Sequence, residues 1–245
     1  MDILIFVISL AASFVFALGG IGGAIVLIPL LISLGIPVNI ARPAGLFNNM
    51  MSMTGATVSN IKHKRLDIKA GIPIIVTSFI FAIVGAWGSK FISERVILII
   101  FIFFLLFSGF MFLFHKNKGG GSYRTDVPYV SLSVIGAIAG LMSGVLGIGG
   151  GGIISPLMLM AGFDPKKSAV ITAFVVPFSS LSGFLTYWAM GHIDWKLLII
   201  VSVAGYIGAS LGTAFMHKRL DAEAVKKILA VILLLMAVKL LFHVL

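Results

Sequence analysis

The chain has 245 residues, 60% of them hydrophobic and only 11% charged. A water-soluble protein of this length needs a charged exterior, so the composition excludes one and points to an integral membrane protein that keeps its charges for loops. A net charge of +10 with so few acids reads as loops retained on the cytoplasmic side rather than as a nucleic-acid footprint. The absence of cysteine excludes disulfides, thiolate metal sites and thiol chemistry. Met1-Asp2 lacks the basic start of a cleavable signal, so none is expected.

Charged residues cut the chain into uncharged runs. In chain order, Ile3 to Ala41 comes first, then Pro43 to Ile61, Ala70 to Ser89 and Val96 to Phe114. Val127 to Phe163 opens the second half, followed by Ser168 to Gly191, Leu197 to Met216 and Ile228 to Leu245, the last interrupted by Lys239. Most of these match the ~20 residues that span a bilayer as a helix. The two that open each half are nearly twice as long, roughly 55 Å if helical against a hydrocarbon core of ~30 Å.

Each long run is broken internally by glycines, Gly19 to Gly23 in the first and Gly147 to Gly152 in the second. Glycine weakens a helix and permits positive φ, so each run is predicted to be a helix followed by a re-entrant half-helix.

The halves are copies. At a constant offset of 127, Gly20, Ile21, Gly22, Gly23, Pro29, Leu30, Gly35, Phe47, Ser52 and Asp67 meet identical residues. The fold class predicted is an all-α polytopic membrane protein of two repeats, 1–114 and 128–245, each a broken first helix plus about three transmembrane helices. Residues 115–127, with Gly119 to Ser122, form a cytoplasmic linker.

Loop charge decides how the repeats are related. If each long run crosses once, the repeats are parallel and the 18 basic residues split nine against nine. If each goes in and returns, the repeats are inverted, and Lys62, Lys64, Arg65, Lys69, Lys116, Lys118, Arg124, Lys166, Lys167, Lys218, Arg219, Lys226 and Lys227 share one side. The positive-inside rule prefers the inverted arrangement.

Inverted repeats with discontinuous helices are a secondary-transporter architecture, with the site between the repeats. Half-helices starting after Gly23 and after Gly152 would present unpaired N–H groups and positive dipole ends to an anion, with Gly20, Gly22, Gly23, Gly149, Gly150 and Gly151 as candidate binding positions. The alternative is that these glycines only permit close packing, as Gly136, Gly140, Gly144, Gly208 and Gly212 do. Gly147-x-Gly149-x-x-Gly152 also matches a dinucleotide fingerprint, but lacks the preceding strand and the later acid that the motif requires.

Arg42 is the only charged residue between Asp2 and Lys62. A bound oxyanion could be its partner, or it could snorkel from a helix end to water. On the following helix Gly45, Asn48, Ser52, Gly55 and Ser59 make a small polar face, with Asn49 beside it. Thr172, Val175, Ser179, Ser182 and Thr186 repeat that face in the second half. Such donors suit a small polar solute or serve as helix-packing contacts.

All eight acids sit at run boundaries or in loops, so no midplane carboxylate is available to relay a proton or cage a cation. The expected partners are a small anionic substrate and the lipid bilayer, with no nucleic acid, no metal and no cofactor; a homo-oligomer is compatible. Trp87, Trp188 and Trp195, near run ends, read as interfacial anchors, and Phe101, Phe103, Phe104 and Phe107 as lipid-facing or packing surface. An intramembrane enzyme built on Ser143-Gly144 would lack a nearby His or Asp to activate the serine.

The pattern Gly-Ile-Gly-Gly, then Pro29-Leu30, Leu34-Gly35-Ile36-Pro37 and a basic loop ending Arg65-Leu66-Asp67 is repeated as Gly147 to Gly150, Pro156-Leu157, Ala161-Gly162-Phe163 and Gly191 to Trp195. It resembles the sulfite exporter TauE/SafE family of membrane permeases over nearly the whole chain. The resemblance implies movement of sulfite, sulfoacetate or related organosulfur anions or carboxylates across a prokaryotic inner membrane. Arg42 and Asn48 resemble the Arg and amide found after the first half-helix in many members. Ala169 and Val175 stand at the matching places in the second half, so any site would be asymmetric. Export by alternating access is the expected function; an anion-selective pore and an uptake permease for small carboxylates are the alternatives.

Overall fold

The computed structural model describes residues 1–17, 19–114, 123–124, 126–219 and 222–244, with side chains described outside 216–226 and 243–245. Residues 115–122 and 125 of the predicted linker 115–127, and the side chains of Lys218, Arg219 and Lys226, lie outside the described residues.

The described segments are helical. The first half contains α1 (Asp2–Ala17), α2 (Ala24–Ser33), α3 (Val38–Lys62), α4 (Ile68–Gly88), a 3₁₀ turn at Ser89–Phe91, and α5 (Glu94–Phe114). The second contains α6 (Tyr129–Leu146), α7 (Gly151–Met160), α8 (Pro165–Ala189), α9 (Trp195–Arg219) and α10 (Ala222–Val244). α2 and α7, and likewise α3 and α8, begin and end 127 residues apart. Among the described residues, five helices are long and apolar enough to cross a membrane: α4, α5, α6, α8 and α9.

The glycine breaks are where the chain turns. Gly20 and Gly22 have φ of 67° and 85°, and Gly147 and Gly149 have 81° and 73°, a region a side chain with a Cβ rarely enters. At ~1.5 Å per residue the 10-residue α2 and α7 are each about 15 Å long, half a hydrocarbon core. The start of α1 and the turn after α2 meet: Asp2, Gly35 and Pro37 line one surface cavity. In the second half, Arg124 N donates to Gly162 O at 2.9 Å, joining the segment before α6 to the end of α7. Each pair is therefore a hairpin that enters and returns.

Helix directions follow from the contacts. α3 and α8 cross antiparallel, since Thr57 Oγ1 donates to Ala173 O at 2.8 Å while the rings of Phe47 and Phe184 lie 4.8 Å apart. α4 runs parallel to α8, with Gly71 beside Phe174 and Ser89 bonded to Tyr187. α3 runs parallel to α9, with Asn48 beside Gly205 and Gly55 beside Ser210. The glycine ladder Gly136, Gly140 and Gly144 seats α6 parallel to α4 at Ile74, Ser78 and Ala82, and Gly208 and Gly212 seat α9 on α1 at Leu10 and Phe14. Small residues at these positions let the backbones approach closely.

Two ion pairs among the described residues bridge the halves, one at each end. Asp67 at the start of α4 meets Lys167 at the start of α8 at 2.9 Å, and Asp2 meets Lys196 at 2.7 Å. The hydrogen bond and charge of Lys167 hold the Asp67 carboxyl below its ordinary pKa. Lys196 does the same for Asp2.

The aromatic expectations divide. Trp87, Trp188 and Trp195 are about half exposed near helix ends, and Lys90 Nζ stands 4.3 Å over the Trp87 ring. Phe103 and Phe107 face outward, whereas Phe101 and Phe104 are buried in the core.

Candidate functional site

α3 carries most of the candidate side chains. It starts at Val38, earlier than the run from Pro43 predicted, and takes Arg42 into its second turn. Its polar residues exclude it from the most apolar helices, yet Arg42, Asn48, Asn49, Ser52, Thr57 and Asn60 are all buried. The packing of α3 against α8 and α9 explains this: its polar face is turned to protein.

Arg42 does not snorkel, being only 6% exposed. Its Nε donates to Val38 O at 3.4 Å and its Nη1 to Val145 O at 3.1 Å, one residue before the C-terminus of α6. Its guanidinium carbon lies 5.0 Å from the centroid of the Tyr187 ring. The resident partners of this charge are thus a helix C-terminus, which carries partial negative charge, and an aromatic face. Tyr187 is held in turn by its hydroxyl, which donates to Gly144 O at 2.8 Å and lies 3.0 Å from Ser89 Oγ.

Asn49 joins the two breaks. Its Oδ1 accepts the N–H of Ala24, the first residue of α2, at 3.0 Å, and its Nδ2 donates to Ile148 O. The breaks also touch directly, for a Cβ at Gly151 would strike Ile21 O. Ser179 Oγ donates to Gly149 O at 3.0 Å, and the site of a Cβ on Gly149 lies 2.5 Å from Ser180 Oγ. Asn49, Ser179, Gly22, Gly149 and Gly151 are thereby collected at one locus, whereas Arg42 lies about two turns back along α3, with its guanidinium turned to Val145 and Tyr187.

The other candidates sit differently. Asn48 turns to the far side of α3, where it and Ser13 of α1 exchange contacts of 3.4 and 3.5 Å. Gly23 packs on Ser13, and Gly20 packs on the backbone of Ala169. Ser52 and Ser182 donate to the backbones of their own helices, at Asn49 O and Ser179 O, so neither hydroxyl proton is offered to the breaks. Thr172 is fully buried and its Oγ1 has no partner.

The breaks are not equivalent. Gly23, which precedes α2, has φ of −73°, whereas Gly150, which precedes α7, has φ of 75°. The first N–H of α2 is capped by Asn49; the position 127 residues later is Val176, which cannot cap α7. No hydrogen bond takes up the N–H groups of Gly149, Gly150, Gly151 or Gly152. The Oγ of fully buried Ser180, beside Gly149, is also without a partner. Free first-turn N–H groups, a positive dipole end and an unpaired hydroxyl are what an anion requires.

Sequence reasoning missed Tyr187, Ser13 and Ser180. For Tyr187 the repeat register carried a signal: its counterpart is Asn60, so both halves place a polar side chain there. Nothing in the sequence marked Ser13 or Ser180.

A multi-pass helical chain with two glycine-broken hairpins meeting in its core has the form of a membrane transporter. The model of the family described as sulfite exporter TauE/SafE matches residues 5–240, and the chain belongs to that family. It is similar to the probable membrane transporter protein YunE of Bacillus subtilis, 27% identical over 98% of this chain and 97% of that protein. It is also similar to the probable membrane transporter protein ORF9 of a Sinorhizobium species, 24% identical over 97% and 91%. Sulfite exporter TauE/SafE family protein 6 of Arabidopsis thaliana is 39% identical over 42% of this chain and 24% of its own length. These relatives are named as transporters, not enzymes, and the family implies a small substrate in a lipid bilayer.

Proposed function

We propose that the chain is a secondary transporter that exports a small oxyanion of the sulfite or sulfonate class across a prokaryotic inner membrane by alternating access. The observation that carries this reading is the unpaired N-terminus of α7, with Gly149 to Gly152 and Ser180, beside the locus that Asn49 and Ser179 tie together. Arg42, about two turns back along α3, is a buried positive charge of the core.

The halves, 1–114 and 128–245, are read as inverted repeats joined by a cytoplasmic linker. What supports this is the antiparallel crossing of α3 and α8, together with the parallel pairings of α4 with α8 and α3 with α9. Lys62, Lys64, Arg65, Lys69, Arg124, Lys166 and Lys167 then belong to the cytoplasmic end. Single cysteines at Lys64 and Lys167 should label from one face only, and labelling from opposite faces would reject the inversion.

Each acidic side chain that is described lies at a helix start or in a loop, so among the described residues the core offers a transported cation no carboxylate. An inside-negative potential drives an anion outward by ~2.3 kcal/mol per charge per 100 mV, so export needs no coupling ion. The burial of Asn49, Ser52, Thr172, Ser179 and Ser182 favours a carrier that must rearrange over an open pore.

The test is flux in liposomes over sulfite, thiosulfate, sulfoacetate and simple carboxylates. Saturable, exchangeable anion flux is expected. Arg42→Lys should weaken it and Arg42→Ala abolish it while the protein stays folded. Absence of flux for every anion tested would reject the reading.

A further inference from the structure

We propose that substrate travels between the Lys196 end of the protein and the first break along a polar file between α1, α3 and α9, formed by Ser9, Ser13 and Asn48. This inference rests on the transport reading but not on the charge of the substrate or on Arg42.

The file begins in a cavity of about 360 Å³ at that end, lined by Asp2, Ile5, Pro37, Ile40, Lys196 and Leu197 among others. The Asp2–Lys196 ion pair stands on its wall. From Ile5, the same face of α1 continues inward in steps of four residues to Ser9 and then Ser13, since residues four apart share a helix face. Ser9 is fully buried and its Oγ has no hydrogen-bond partner. Buried hydroxyls rarely stay unpaired, so one on this face calls for a partner from outside the protein.

One turn deeper, Ser13 and Asn48 are joined only by contacts of 3.4 and 3.5 Å, the long limit for a hydrogen bond. Both can therefore turn to a passing solute at little cost. Ser13 also packs against Gly23, and Asn48 against Gly205, so the file reaches the first break with backbone rather than bulk beside it.

The opposite half has no such file. The residues 127 positions after Ser9, Ser13 and Asn48 are Gly136, Gly140 and Val175. The two glycines seat α6 directly on the α4 backbone, and Val175 is fully buried. That seam is closely packed, glycine against helix backbone, so passage to the other end requires helices to move apart. The polar side chains of α1 and α3 thus give the transporter one end wetted by its own residues and one that opens only by rearrangement.

The absence of native cysteine makes the test direct. Ser9→Cys and Ser13→Cys, made singly, are treated with a small membrane-impermeant anionic thiol reagent from each face. Val7→Cys on the exposed side of α1 and Val175→Cys are the controls. Ser9→Cys and Ser13→Cys should be modified from the Lys196 face, faster than either control, and the modification should be slowed by a transported sulfonate that does not itself react with the reagent. Modification no faster than the controls would overturn the route while leaving the anion reading intact. Modification without any anion flux would keep the route and remove that reading. Ser9→Leu provides a second measurement: with unfolding temperature unchanged, anion flux should be lost, and normal flux would overturn the proposal.

Discussion

The guanidinium of Arg42 in α3 lies over the ring of Tyr187 in α8, 5.0 Å from its centroid. This contact joins α3 to α8 and holds in place the one buried charge among the described residues. A desolvated cation–π contact is worth about 2 kcal/mol. Tyr187→Phe keeps the ring and loses the hydroxyl bonds to Gly144 and Ser89; Tyr187→Leu loses both. The leucine variant should raise the half-saturating substrate concentration roughly thirtyfold, and the phenylalanine variant less. Concentration dependence of flux measures both.

Asn49 should be sensitive to its two ends separately. Asn49→Val, the residue found at the equivalent position in the second half, leaves the Ala24 N–H and the Ile148 carbonyl without partners. The expected cost is about 1–3 kcal/mol for each buried group left unpaired, seen as a lower unfolding temperature in detergent. Asn49→Asp keeps an acceptor for Ala24 but places a negative charge among the breaks, so flux should fall further than stability does.

The breaks and the surface turns should respond differently to substitution. Gly22→Ala or Gly149→Ala demands a Cβ at positive φ and within 2.5 Å of Asn49 or Ser180. Strain of ~1–2 kcal/mol combines with overpacking of ~1–3 kcal/mol, and the yield of folded protein should collapse. At Gly35, φ is 85° but nothing lies within 4 Å of a Cβ. Gly35→Asn should therefore fold with an unchanged unfolding temperature, since asparagine tolerates this conformation.

The Asp67–Lys167 pair has a defined pH signature. The folded-state pKa of Asp67 is lowered from 3.8, chiefly by its hydrogen bond to Lys167. Its contribution is therefore fully present above the unfolded-state value and is lost as pH falls through the folded-state value. Both side chains are about a third exposed, which limits the gain to under about 1 kcal/mol. Unfolding temperature followed from neutral pH into acid should fall less steeply in Asp67→Asn than in the parent. Asp67 also caps α4 by accepting from Ala70 N, so the charge exchange Asp67→Lys with Lys167→Asp should restore only the ion-pair part of the neutral-pH stability lost in Asp67→Lys.

Much of the architecture was legible in the sequence because membrane helices are constrained by length. Run lengths and glycine breaks located both hairpins, and the offset of 127 located α7 and α8 from α2 and α3. The start of α3 was misplaced because Arg42 was treated as a boundary. Inside the fold its Nε and Nη1 donate to the Val38 and Val145 carbonyls and its guanidinium lies over the Tyr187 ring, so the charge sits within α3 and not at its start. Similarly, Asn48 and Asn49 are neighbours in sequence, but successive residues on a helix point about 100° apart. One therefore faces Ser13 and α9, and the other faces the breaks. Ser52 and Ser182 were placed on the right helices, yet hydroxyl rotors that can reach their own backbone do so.

Composition, run length and repeat register are local or one-dimensional properties, and they alone determined that this chain lives in a membrane and carries two glycine breaks, each followed by a short helix, 127 residues apart. Which break stays unpaired, what neutralises Arg42 and which side of α3 is polar toward α1 are decided by contacts between residues 35 to 145 positions apart in the chain. Those contacts exist only once the halves are interleaved, and the same packing turns a nearly symmetric sequence into an asymmetric site.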